Sequence, residues 1–142
     1  MQIDSIKEIY NFYPRILLNS IGEDSGNKIL ELPKLISQYA NNPNNEAAYA
    51  FEKVLKDGFE MFYNVKTELH GGAGNSDIEG LYITCKKKFA VEAKSTANKL
   101  LQINSNRLKH HRNKIGAKYS IVITPRYVPA ALRDIEGENI VI

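Results

Sequence analysis

Asp77 is followed fifteen residues later by Glu92-Ala93-Lys94. Ile78 to Thr84 alternates in the manner of a strand, Lys86-Lys87-Lys88 can form a polar turn, and Phe89-Ala90-Val91 resumes an apolar strand. Asp77 and Glu92 are therefore expected on paired strands. Side chains of a strand alternate faces, so Glu92 and Lys94 project to one side while Ala93 points into the opposite packing layer. Two carboxylates are hard oxygen donors of the kind Mg²⁺ takes, since that ion keeps several waters and needs only one or two protein carboxylates beside a phosphate. A lysine next to them can orient the attacking water and balance charge in a phosphorane-like transition state. The chemistry that these residue types support is metal-assisted phosphodiester hydrolysis.

Each of these residues also has a purely structural reading. Asp77 could cap the turn after Gly71-Gly72-Ala73-Gly74, and Lys94 could be no more than the ion-pair partner of Glu92. Glu92 between Val91 and Ala93 is a poor strand residue unless it is paired or metal-bound. Glu79 shares the Asp77 face and reads as a solvated strand position, with a further ligand as the alternative. The glycine-rich segment lacks the spacing and lysine of a P-loop and precedes a strand rather than a helix, so it reads as a flexible approach to the site. Arg107, His110 and Lys114 fall on one face of a basic helix and could contact phosphates. Ser95 and Thr96 could bind phosphate or cap that helix. His110-His111 has no acidic neighbour at metal-ligand spacing, so neither histidine reads as a zinc ligand.

The elements that must hold these residues follow from periodicity. Ile3, Ile6, Tyr10 and Tyr13 predict a helix before Pro14, and Ile29, Leu32, Ile36 and Tyr39 predict a second before the Asn-rich break at 41–45. A third is expected from about Glu46, with Ala47, Phe51, Val54 and Leu55 on one face and Gly58 as its stop. Phe59 to Leu69 reads as the first strand region. Leu101, Leu108 and Ile115 form the apolar stripe of a fourth helix ended by Gly116. Tyr119 to Thr124 is a buried strand ending at Pro125, and Asn139 to Ile142 is a last strand. The order is helices, three strands, helix, strand, strand, which is a mixed α/β fold.

Composition sets the frame. At 142 residues and 43% hydrophobic content the chain suits one compact domain and not a disordered one. No apolar run approaches the roughly 20 residues of a bilayer span, and the first residues lack the pattern of a secretory signal. With Cys85 as the sole cysteine, an intrachain disulfide is excluded, and a cytoplasmic location without a membrane partner is the expectation. Charge is uneven: residues 1–80 carry seven Lys/Arg against twelve Asp/Glu, a balance of −5, and residues 81–142 carry twelve against four, a balance of +8. The basic half holds Glu92 and Lys94 and would attract a phosphate backbone, although an ordinary solvated surface has the same composition.

The run Gly71-Gly72-Ala73-Gly74-Asn75-Ser76-Asp77, then Val91-Glu92-Ala93-Lys94-Ser95-Thr96 and a basic helix, resembles the PD-(D/E)XK nuclease superfamily. It resembles more narrowly the FokI-like and AlwI-like cleavage domains of type IIS restriction endonucleases. The resemblance covers roughly the second half of the chain, and Ser76 stands where the family usually has proline. It implies a restriction-endonuclease-like core, a central mixed sheet flanked by helices, with residues 1–45 as a helical N-terminal part and 46–142 as the catalytic core of a single nuclease domain. It implies a Mg²⁺-dependent endonuclease acting on DNA, with Mn²⁺ able to substitute. Asp77, Glu92 and the Ala93 carbonyl would hold the metal, Lys94 would serve the water, and Glu46 on the upstream helix would complete the network, with Glu52 as the competing choice. Ser95, Arg107, His110 and Lys114 are the expected DNA contacts. The resemblance further implies a homodimer or second cleavage subunit for cutting both strands, and a separate DNA-recognition domain in a longer protein. A junction-resolving or repair nuclease, and a non-catalytic DNA-binding or assembly domain, are the rival readings.

Overall fold

A computed structural model describes residues 23–42, 47–72 and 74–142, with side chains from residue 31 onward. The helix expected at Ile3 to Tyr13, and Glu46 itself, lie outside the described residues. Helices α1 (Glu23–Ala40) and α2 (Ala48–Glu60) precede three strands, β1 (Val65–Leu69), β2 (Ile78–Tyr82) and β3 (Lys87–Ala93). Helix α3 (Ser105–Lys114) leads to β4 (Tyr119–Ile123), and a 3₁₀ helix (Pro129–Ile135) leads to β5 (Ile140–Val141). The strands form one sheet in the order β1-β2-β3-β4-β5. The β1–β2 and β2–β3 pairs are antiparallel; β3–β4 and β4–β5 are parallel. Antiparallel neighbours need only tight turns, whereas the parallel pairs need crossovers, which α3 and the 3₁₀ helix provide. The fold class is the expected one, a mixed sheet flanked by helices. No helix among the described residues is long and apolar enough to cross a membrane.

Alternation along β3 builds two cores. Val91 and Ala93 pack toward α1 and α2 with Ala40, Phe51, Leu55 and Ile78. The opposite face meets the core of Ile103, Leu108, Val122, Ala131, Ile135 and Ile140 beneath α3 and the 3₁₀ helix. Burying both faces makes β3 the strand from which a side chain can be fixed from either side. Gly80 lies directly opposite Phe89. A Cβ at Gly80 would fall 2.1 Å from Phe89 Cζ, so the bare backbone there is what lets the ring lie across β2.

Three expectations fail for identifiable reasons. Gly58 does not stop α2, which runs on to Glu60; its backbone stays helical, and a Cβ there would meet Leu32 of α1 at 3.4 Å. The chain then turns through Phe62, with Met61 N–H donating to Gly58 O and Phe62 N–H to Phe59 O, so the strand begins only at Val65. Leu101 is not on α3. It is 70% exposed, and Ile103 enters the core in its place, its N–H donating to Asp134 Oδ2 at 2.8 Å. Finally, Ser95 and Thr96 do not cap α3, whose N-cap is Asn104, accepting from Arg107 N–H at 3.0 Å. Gly116 does end that helix, at φ 69°, a backbone region that glycine enters without a side-chain penalty.

Candidate active site

Asp77 stands one residue before β2, where its backbone continues the ladder: Asp77 N–H donates to Val91 O, and His70 N–H donates to Asp77 O. Ala93 N–H donates to Asp77 Oδ2 at 2.7 Å, so the first acid is oriented by the backbone of the second motif. Burial pushes the Asp77 carboxyl above its ordinary range; the Ala93 bond opposes this, the nearby Glu92 charge adds to it, and Lys94 and Arg107 oppose it. A carboxylate whose ionisation is made costlier by burial and by a second carboxylate is a donor that a divalent cation would relieve.

Glu92 is almost wholly buried at 2% exposure. Its charge is met from two directions. Lys94 Nζ lies 3.0 Å from Oε2 and Arg107 Nη2 3.8 Å from the same oxygen, while His111 Nδ1 lies 2.5 Å from Oε1. The expected geometry of Glu92 and Lys94 on one face is present. Beside them opens a cleft of about 210 Å³, walled by Gln102, Asn104 and Arg107 and floored by Leu100, Ile103 and Val122. It opens onto an otherwise buried carboxylate.

Glu52, the alternative to Glu46, comes from α2. Its carboxyl is raised by burial first, then by Asp77; Lys94 opposes this and Glu92 adds to it, so Glu52 lies in the field of the same three groups. Among the described residues, however, no three His, Cys, Asp or Glu side chains are gathered closely enough to form a ready metal cluster. The oxygen set present is Asp77 and Glu92, with the Ala93 carbonyl next to Glu92 in the chain. It fits Mg²⁺, which leaves most of its shell to water and phosphate, and it does not fit a closed structural site.

The remaining sequence candidates are placed as follows. Ser95 Oγ accepts from Asn42 Nδ2 at 3.3 Å, and Asn42 Oδ1 accepts from Ala47 N–H, so this serine ties the start of α2 to the end of β3. Arg107 and His110 lie on the exposed face of α3. Lys114 Nζ donates to Gly74 O at 2.6 Å, clasping the glycine-rich segment to α3. Glu79 is not solvated as expected: it is bracketed by His70 Nε2 at 3.1 Å and Lys88 Nζ at 2.5 Å. His111 was not singled out as a site residue. Its signal was positional, since it falls three residues after Leu108 and four before Ile115, on the apolar stripe of α3.

No family model matches the chain. Over 141 residues, 98% of its length, it is 51% identical to the type II restriction enzyme HgaI of Avibacterium volantium. The matched part amounts to 29% of that protein, so the chain spans less than a third of the relative's length. Along almost all of its own length, therefore, the chain is similar to one segment of a type II restriction enzyme.

Proposed function

We propose that this chain is a Mg²⁺-dependent endodeoxyribonuclease, the cleavage part of a type IIS-like restriction endonuclease of the PD-(D/E)XK kind. The observation that carries the reading is the bond from Ala93 N–H to Asp77 Oδ2, which brings the two half-motifs into one constellation with Glu92 and Lys94. The 51% identity to a restriction enzyme supports the reaction class.

Asp77 and Glu92, with the Ala93 carbonyl, would hold the ion, which when bound polarises phosphate and acidifies water. The chain's own groups do the rest. Ala93 N–H fixes the Asp77 carboxylate, and Lys94 orients the attacking water and offsets charge developing on the phosphate oxygens. Glu52 or Glu46 would complete the acidic rim; Glu52 is supported by its place in the field of Asp77, Lys94 and Glu92. Arg107 and His110, on the exposed face of α3, approach the DNA backbone, whose attraction to the basic half falls steeply with salt. One centre serves one strand, so a double-strand break needs two copies. Sequence recognition belongs to a module outside this segment.

Cleavage of supercoiled plasmid tests this. Wild-type chain with Mg²⁺ should nick or linearise the plasmid, steeply with protein concentration. EDTA, Asp77→Ala and Glu92→Gln should each abolish cutting. Equal cutting by Asp77→Ala, or cutting in EDTA, would overturn the proposal.

A further inference from the structure

We propose that His111 is a positioning residue for the hydrolytic centre: its ring fixes one oxygen of Glu92 and so directs the other toward Lys94. This rests on the metal-dependent reading above. The side chains of His111 and Glu92 are 7% and 3% exposed, and they meet at 2.5 Å across nineteen residues of sequence. A carboxylate only accepts, so Nδ1 carries the hydrogen of this bond. Such charge-assisted bonds are short and strongly directional.

Charge balance alone does not call for this histidine. Lys94 and Arg107 already attend Oε2, at 3.0 and 3.8 Å, whereas the partner at hydrogen-bond distance from Oε1 is His111. The last torsion of a glutamate is broad and shallow, so a carboxylate held through one oxygen could still swing. His111 supplies the second point of attachment. Its own placement is firm: Leu108, one turn earlier, is in the core, Arg112 Nη1 donates to Glu138 O at 2.7 Å, and Lys114 clasps Gly74. A position that the helix period reserves for an apolar residue is thus occupied by a polar ring aimed at a candidate metal ligand. Groups that hold metal-binding carboxylates from behind commonly change metal affinity by about 10- to 100-fold when removed.

The test uses the full 142-residue chain as wild type, Asp77→Asn, His111→Ala, His111→Asn and His111→Gln. Mn²⁺ binding is followed by calorimetry without DNA, and thermal melts are recorded in EDTA. His111→Ala should bind Mn²⁺ about 10- to 100-fold more weakly while still melting cooperatively. His111→Asn, whose amide nitrogen can take the place of Nδ1, should recover most of the affinity, and His111→Gln, whose nitrogen lies one bond further out, should not. If the variants lower the melting temperature but bind Mn²⁺ as wild type does, His111 is structural only and the proposal is overturned. Should His111→Ala fail to fold, equal Mn²⁺ affinities for the Asn and Gln variants overturn it as well. Absence of any Mn²⁺ binding that depends on Asp77 would instead remove the metal-dependent reading, and this inference with it.

Discussion

Truncating Lys94 to alanine removes an ammonium that stands 3.0 Å from Glu92 Oε2 and leaves His111 on Oε1 and Arg107 3.8 Å from Oε2. Two unit charges about 4 Å apart interact by about 4 kcal/mol at an effective dielectric near 20. Charge developing on a phosphate beside Lys94 would meet that field only in the transition state, so the loss should fall on turnover. Removal of one preorganised charge-stabilising group typically costs about 10²- to 10³-fold in rate. The loss to the resting fold is tempered, because Lys94 is one-third exposed and His111 and Arg107 still meet the buried Glu92 carboxylate. Single-turnover plasmid cleavage at saturating Mg²⁺, set against melting curves, separates the two effects. Lys94→Ala should cut about 10²- to 10³-fold more slowly and melt within a few degrees of wild type. A variant that cuts within about tenfold of wild type, while Asp77→Ala is inactive in the same assay, would refute transition-state stabilisation by Lys94. Accompanied by a large fall in melting temperature, it would make Lys94 a structural partner of Glu92.

Asp77→Asn keeps an oxygen for Ala93 N–H but removes a half-buried charge. The folded carboxyl holds its proton more tightly than the unfolded one, so its ionisation costs stability as pH rises through the raised value. In EDTA, Asp77→Asn should therefore be more stable than wild type at neutral pH, with the gain vanishing below the ordinary aspartate range; melts giving a pH-independent difference would contradict this. Gly80→Ala should destabilise by roughly 1–3 kcal/mol, because Phe89 must leave its seat and its contact with Phe59. Urea titration checks it, and a change below about 0.5 kcal/mol would show that the ring relocates freely. Lys114→Ala frees Gly74 O and should speed amide exchange across the 71–76 segment without touching β2 and β3. Unchanged exchange there would mean the clasp is idle.

Much of the candidate site's geometry is readable because its information is local. Glu92 lies on β3, with Lys94 directly after that strand and Asp77 directly before β2, so period-two alternation alone predicts that Glu92 and Lys94 share a face. Helix α3, with Gly116 behind it, and β4 were legible for the same reason. His111 was not, because its partner lies on a strand nineteen residues earlier and only the crossover brings them together. Period marked it as inward-facing, but nothing in α3 says what it faces. Glu52 and Glu46 are not separated by sequence, since both belong to one predicted helix. Gly58 misled because a glycine admitted for close helix approach looks the same in sequence as one that ends a helix. The 3₁₀ helix at Pro129–Ile135 carries too few residues to display a period.

The double burial of β3 also limits how this segment can change in length over evolution. Val91 and Ala93 belong to one core, while Glu92 faces Lys94, His111 and the other core. An insertion or deletion of a single residue within Lys87–Ala93 would exchange those faces, pressing a carboxylate into the packing against α2 and turning an aliphatic side chain toward Lys94. The turn between β2 and β3, at 83–86, carries no such parity and can lengthen at small entropic cost. Homologous segments should accordingly vary in length at that turn, and those that vary by one residue inside the strand should have lost the centre altogether.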